Sequence, residues 1–172
     1  LVEVGVGLIP GGSGTLQLMR NWFGRHAANT DVNPMGFLQH VFMQIGMAEV
    51  ATSAEEAREA GFLRQDDIVT LNRDHVVHYA KERVLGMARA GFRPPRPMKF
   101  SLPGRDGAAT VDAMLYSMLH NGQISEYDRF IGKKLAHVLT GGHATTKSRV
   151  TEQEILDLER EVFLSLTGEE KT

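Results

Sequence analysis

Apolar positions recur at helical spacing along almost the whole chain. Leu16, Met19, Trp22 and Phe23 lie on one face of a segment opened by Gly11-Gly-Ser-Gly14, and Phe37, Leu38, Val41, Phe42 and Ile45 repeat the pattern after Asn33-Pro34, an N-cap followed by a first-turn proline. Ser53-Ala-Glu-Glu56 has the form of a capping box and Gly61 that of a helix stop, which predicts a short helix between them. Asp74 is the expected cap of a helix carrying Val76, Ala80, Val84 and Met87 on one face and ending at Gly91. The stretch Arg93-Pro-Pro-Arg-Pro97 must be extended.

Three further helices follow. Val111, Met114, Leu115, Met118 and Leu119 form the stripe of the first, before the break at Asn121-Gly122. Ser125 caps the second, which turns Tyr127, Phe130, Ile131, Leu135 and Val138 inward and stops at Gly141-Gly142. A polar loop leads to Thr151-Glu-Gln-Glu154, another capping box, and Ile155, Leu158, Val162 and Leu166 carry the last stripe. The fold class is therefore mainly α, with about seven helices. The proline-rich stretch divides the chain into 1–97 and 98–172, the latter a three-helix extension; each half is small for a core of its own.

The first residues break the helical period. Val2, Val4, Val6 and Leu8 alternate with Glu3, Gly5 and Gly7, which predicts a strand ahead of the glycine turn. A lone strand leaves its backbone groups unpaired, and Met98–Leu102 is the one weak strand candidate downstream. Because the chain opens on Leu1 and not Met, the expectation is that the sheet partners of this segment lay upstream, and that it is disordered, exchanged between chains or self-paired without them.

Composition narrows the chemistry. The 172 residues hold 42% apolar and 23% charged side chains, the balance of a folded soluble chain. A net charge of −2 gives no basic footprint for nucleic acid. With no cysteine there is no disulfide, thiolate zinc site or thiol nucleophile. No apolar run has the length of a membrane span and no signal peptide is visible, so a cytoplasmic setting is expected.

Few constellations stand out. Gly7-Leu-Ile-Pro-Gly-Gly-Ser-Gly-Thr15 lacks the lysine of a nucleotide-binding phosphate loop, but a glycine turn at a helix N-terminus can still hold an anion, a carbonyl oxygen or a water. His75 and His78 share a helix face without a third ligand, and His137 and His143 have no telling spacing, so no metal is expected. Arg93 and Arg96 suit either a solvated linker or contact with phosphate or a partner domain. Glu3 is the odd carboxylate in an apolar segment. On a wet strand face it is ordinary; on a covered one it is a candidate proton donor.

The segment Glu3-Val-Gly-Val-Gly-Leu-Ile-Pro-Gly-Gly-Ser-Gly-Thr15 resembles the enoyl-CoA hydratase/isomerase (crotonase) superfamily, in which a glutamate precedes a Gly-x-x-Pro-Gly-x-Gly-Gly-Thr turn at this spacing. Ser53-Ala-Glu-Glu-Ala-Arg-Glu-Ala-Gly-Phe62 resembles a later segment near the acyl pocket of that superfamily. Gly61-Phe-Leu-Arg64, Leu71-Asn-Arg-Asp74, the Arg-Pro-Pro-Arg-Pro stretch, Ile124-Ser-Glu-Tyr-Asp128 and Leu156-Asp-Leu-Glu-Arg160 are similar to one subgroup, the bifunctional fatty-acid oxidation proteins with an N-terminal 3-hydroxyacyl-CoA dehydrogenase.

The resemblance implies hydration of a trans-2-enoyl thioester by two glutamates. One activates water, the other protonates the α-carbon, and two backbone amides hold the thioester oxygen. Glu3 matches the proton donor; Gly11 matches the turn glycine whose amide helps hold the water, and Pro10 fixes that turn. It also implies that the first glutamate, both oxyanion amides and most of the CoA surface lie upstream. The chain would then be an inactive C-terminal fragment that binds no cofactor of its own. The parent's substrate would be an acyl-CoA thioester, and NAD would belong to its missing dehydrogenase part. Crotonase relatives assemble through C-terminal helices, so a homo-oligomer is expected. The competing reading is a non-catalytic helical module for docking or oligomerisation.

Overall fold

The computed structural model describes residues 1–26, 34–145 and 149–171. Among them are seven α-helices: α1 (Gly14–His26), α2 (Pro34–Gly46), α3 (Ala54–Glu59), α4 (Val76–Arg89), α5 (Gly104–His120), α6 (Glu126–Leu139) and α7 (Glu152–Leu166). The expected mainly-α class is what forms. Asn33 lies outside the described residues, so the cap expected there is not described.

The N-terminal strand does not form. Glu3–Val6 is a 3₁₀ turn, closed by Gly7 in the left-handed region at φ 85°. The Gly5 N–H donates to the Val2 carbonyl and the Leu8 N–H to the Glu3 carbonyl, both at 3.0 Å. The turn pairs these backbone groups locally, and the two glycines that interrupt the valine alternation allow it. The weak candidate at 98–102 is a strand: β1 (Lys99–Ser101) pairs antiparallel with β2 (Arg149–Thr151), with Phe100 opposite Val150.

Two of the expected capping signals form as expected, one is modified and one is replaced. Ser125 and Thr151 make reciprocal boxes with Asp128 and Glu154. The Ser53 hydroxyl accepts from the Glu56 N–H, but the Glu56 carboxylate reaches back to Thr52, accepting from its N–H at 2.6 Å and its hydroxyl at 2.7 Å. Asn72, and not Asp74, caps the helical entry to α4, accepting from the Asp74 N–H at 3.0 Å. Asp74 itself lies within the 3₁₀ turn Arg73–His75.

The buried core draws on both halves of the chain. Ile9, Met19, Leu38 and Ile45 are packed out of contact with water alongside Phe100, Leu102, Ile131, Leu135 and Ile155. α5, α6 and α7 pack in sequence, α2 lies against α6, and α1 against α7. Polar pins supplement this packing. The Gln44 amide is 1% exposed; it accepts from Trp22 Nε1 at 3.3 Å and donates to the Ala60 carbonyl at 2.5 Å. Arg20 pairs with Glu152 at 3.1 Å across α1 and α7.

α4 is the exception. No residue of it is buried, and its main packing among the described elements is with the 3₁₀ turn that precedes it. Leu71, Val77 and Val84 are 99%, 79% and 63% exposed. No helix among the described residues is long and apolar enough to cross a membrane.

Candidate functional site

The glycine turn leads into α1 through two consecutive left-handed residues, Gly12 at φ 60° and Ser13 at φ 75°. Serine rarely adopts that conformation, so something must hold it there. The holder is Glu159, on the buried stripe of α7. Its Oε1 accepts from the Ser13 N–H at 2.6 Å and its Oε2 from the Thr15 N–H at 3.0 Å. The side chain is 3% exposed. The open amides at the start of α1, which the sequence offered to an anion, are thus met by a carboxylate from the far end of the chain.

A groove of about 730 Å³ runs beside this clamp. Leu8 forms part of one wall; Leu156, Phe163 and Leu164 of α7 line the other, together with Gln153, Asp157 and Arg160 of the same helix. Glu3 and the turn Gly11–Ser13 enter it from the N-terminal segment. Glu3 Oε2 is shielded from solvent and has no hydrogen-bond partner. A carboxylate oxygen left unsatisfied in an apolar groove is costly unless a ligand or a proton completes it. The groove therefore offers apolar surface from Leu8, Leu156, Phe163 and Leu164 beside one shielded carboxyl oxygen that a bound group could reach.

The three sequence-predicted residues divide. Glu3 and Gly11 face the same groove, whereas Pro10 is buried behind it. Gly11 is tightly fitted: a Cβ there would stand 3.1 Å from two carbons of the Phe163 ring. Gly14 has no more room, since its Cβ would meet Leu1 Cδ2 at 2.9 Å and Pro10 Cβ at 3.0 Å. Leu1 and Pro10 thus both pack beside the helix start, which sets the segment bearing Glu3 against the turn.

Sequence reasoning missed Glu159. The signal was present: between Ile155 and Val162 the apolar stripe of α7 passes directly through position 159. A lone carboxylate in that register is buried, and a buried carboxylate needs donors.

The other candidates lie elsewhere. His75 and His78 are exposed on or beside α4, each with its ring against Tyr79. Among the described residues no three His, Asp or Glu side chains converge as metal ligands. Arg93 and Arg96 are exposed. His137 and His143, unremarkable by spacing, are brought together with ring centroids 5.2 Å apart. Burial first, and then the neighbouring His143, hold His137 below the usual histidine range; Glu161 pulls weakly the other way.

Comparison with known proteins adds two relatives. The chain is 41% identical over all 172 residues to a Bacillus subtilis (strain 168) protein described as "Probable 3-hydroxyacyl-CoA dehydrogenase". It is 26% identical over 173 aligned positions to a Rickettsia felis protein described as "Putative fatty acid oxidation complex trifunctional enzyme". The chain spans about a fifth of the length of these curated relatives, 21% and 20%. No family model matches it, and no solved structure does.

Proposed function

We propose that this chain serves in fatty-acid β-oxidation as part of a protein that hydrates trans-2-enoyl-CoA, with Glu3 delivering the proton to the α-carbon. The observation that carries the reading is the unpartnered, shielded Glu3 oxygen in a groove with apolar walls, beside the glycine turn. Support for the fatty-acid oxidation setting comes from the two relatives, described as a 3-hydroxyacyl-CoA dehydrogenase and a fatty acid oxidation complex enzyme. In the reaction the water oxygen bonds to the β-carbon as the carbon–carbon π bond breaks. The Glu3 carboxylic acid gives its proton to the α-carbon and recovers one from the water, so the acid is regenerated.

In this reading the water-activating carboxylate and the amides that hold the thioester oxygen come from outside these 172 residues. The chain alone then turns over little substrate, because one acid without preorganised oxyanion donors supplies a small part of the rate. NAD belongs to a dehydrogenase part of the whole protein and oxidises the 3-hydroxyacyl product there. The setting is cytoplasmic, and the whole protein is a homo-oligomer.

Crotonyl-CoA hydration by the full-length gene product tests this. Glu3→Gln is expected to lower kcat by about a hundredfold or more, the usual scale for a lost acid–base group. Unchanged turnover removes Glu3 from the chemistry. The second reading, a helical docking or oligomerisation module, is favoured by the apolar face of α4 and the extended residues before it, which nothing among the described residues covers. It predicts self-association of the isolated chain, read by sedimentation, and Glu3→Gln without consequence.

A further inference from the structure

We propose that Glu159 is the positioning residue of the candidate site, holding the glycine turn in the one conformation that sets Glu3 and Gly11 at the groove. This rests on the hydration reading above for its catalytic consequence, but its structural content stands independently.

The bidentate geometry carries the argument. Both oxygens of a carboxylate that is 3% exposed are spent on two backbone donors, Ser13 N–H and Thr15 N–H, 146 and 144 residues away. A buried charge is tolerated only when so satisfied, and charge-assisted bonds to amides are the stronger kind. Those amides belong to a helix N-terminus, where a negative charge is favoured by the axial dipole as well. The two left-handed residues are Gly12, just before the first donor, and Ser13, the donor itself. Such backbone persists where its surroundings over-determine it, and the clamp supplies that constraint.

The clamp is coupled to Glu3 by packing. Leu1 and Pro10 fill the space beside Gly14, where a Cβ would stand 2.9 Å and 3.0 Å from them, so the segment that carries Glu3 packs against the start of α1. The Phe163 ring, one helical turn along α7 from Glu159, presses on Gly11. One helix thus fixes the turn twice, by charge at Ser13 and Thr15 and by contact at Gly11. A second consequence follows. The Ser13 and Thr15 amides are already engaged, so they are not the donors that receive a thioester oxygen or a CoA phosphate.

Chemical rescue distinguishes this role from bulk stability. In the full-length gene product, Glu159→Ala opens a two-donor anion site that formate can occupy. The expected result is a fall in kcat for crotonyl-CoA of about ten- to a hundredfold, the usual scale for a supporting residue, with KM changed by less than about threefold. Formate at tens of millimolar, roughly, should restore much of the loss and leave wild type unaffected. Retained kcat, or a folded Glu159→Ala enzyme that formate does not rescue, overturns the proposal. Should Glu159→Ala not fold, Glu159→Gln carries the same test: it keeps the volume and one acceptor but sets an amide N–H₂ against a backbone N–H. It should lose kcat on the same scale, and full activity would overturn the clamp.

Hydrogen exchange over residues 11–18 separates this proposal from the hydration reading. If Glu3→Gln retains turnover, the hydration reading falls, yet exchange in Glu159→Ala must still rise about tenfold or more and be suppressed again by formate. Unchanged exchange would overturn the positioning role whatever the activity.

Discussion

α4 and α6 have the same length and nearly the same pattern, and opposite fates. Each is 14 residues with an apolar stripe at helical spacing. α6 buries Ile131, Leu135, Val138 and Leu139, whereas α4 buries none of Val76, Ala80, Val84 or Met87. Periodicity states that a helix has a face to hide and says nothing of what hides it. In α6 the answer is α5, α7 and α2. In α4 the answer is not among the described residues, and an isolated helix of this length is marginal in water.

Hydrogen exchange on the 172-residue chain gives the widest separation between these helices. Amides of α4 should exchange at least about a thousandfold faster than those of α6, because opening α4 breaks no core whereas opening α6 approaches global unfolding. Equal protection would show that α4 is covered after all, by self-association or by the remaining helices. Substitution repeats the contrast on a smaller scale. Leu135→Ala should cost about 2–5 kcal/mol in denaturant unfolding, as expected for a buried leucine. Val77→Ala on the arm should change stability by no more than about 0.5 kcal/mol. A large cost for Val77→Ala, appearing only at high protein concentration, would identify a second copy as the cover.

The same contrast separates what the sequence made legible from what it did not. Helix number, stripes and caps at Ser53, Ser125 and Thr151 follow from local chemistry, and local chemistry is enough to place them. The N-terminal segment leaves the extended form that its alternation predicts because Gly7 takes the left-handed φ that closes a turn and lets Glu3–Val6 satisfy its backbone as a 3₁₀ element. β2 was invisible, since three residues between a loop and a capping box carry no period. Of the candidate site, Glu3 and Gly11 were legible through their spacing in a glycine turn. For Glu159 its place in the buried stripe of α7 was legible, but its role was not, because its partners are about 145 residues away and only the folded chain joins them. The pairing of His137 with His143 was hidden for the same kind of reason: Gly141 and Gly142, both left-handed, fold the chain back after α6.

Caps give the next test of the body. Thr151→Ala removes the side chain that accepts from the Glu154 N–H at 3.3 Å and donates to its carboxylate at 2.7 Å. The expected cost is about 1 kcal/mol. Bonds from the Thr151 N–H, and then from its hydroxyl, hold the Glu154 carboxyl below its ordinary range. That contribution is present above the ordinary carboxylate pKa and is lost as pH falls through the lowered folded value, so the penalty of Thr151→Ala should shrink in acid. A penalty independent of pH would mean that the cap acts without its carboxylate.

The smallest effect is the most specific to the C-terminal body. His137 is held below its ordinary pKa in the folded chain by burial and by His143, so the unfolded chain binds a proton that the folded chain resists. Between the lowered folded value and the ordinary value near 6.5, the unfolded state carries more protons, and stability must rise with pH across that window. The contribution is complete above the ordinary histidine range and fades as pH falls toward the folded value. His137 is only half-buried, so solvent screening keeps the effect modest. Thermal unfolding of wild type and His137→Asn from pH 5 to 8, roughly, should show a shallower slope in the variant. His143→Ala should flatten the slope partly, because it removes the second cause and leaves the first. Parallel slopes in all three proteins would mean that the histidine contact formed by the left-handed glycines has no energetic consequence.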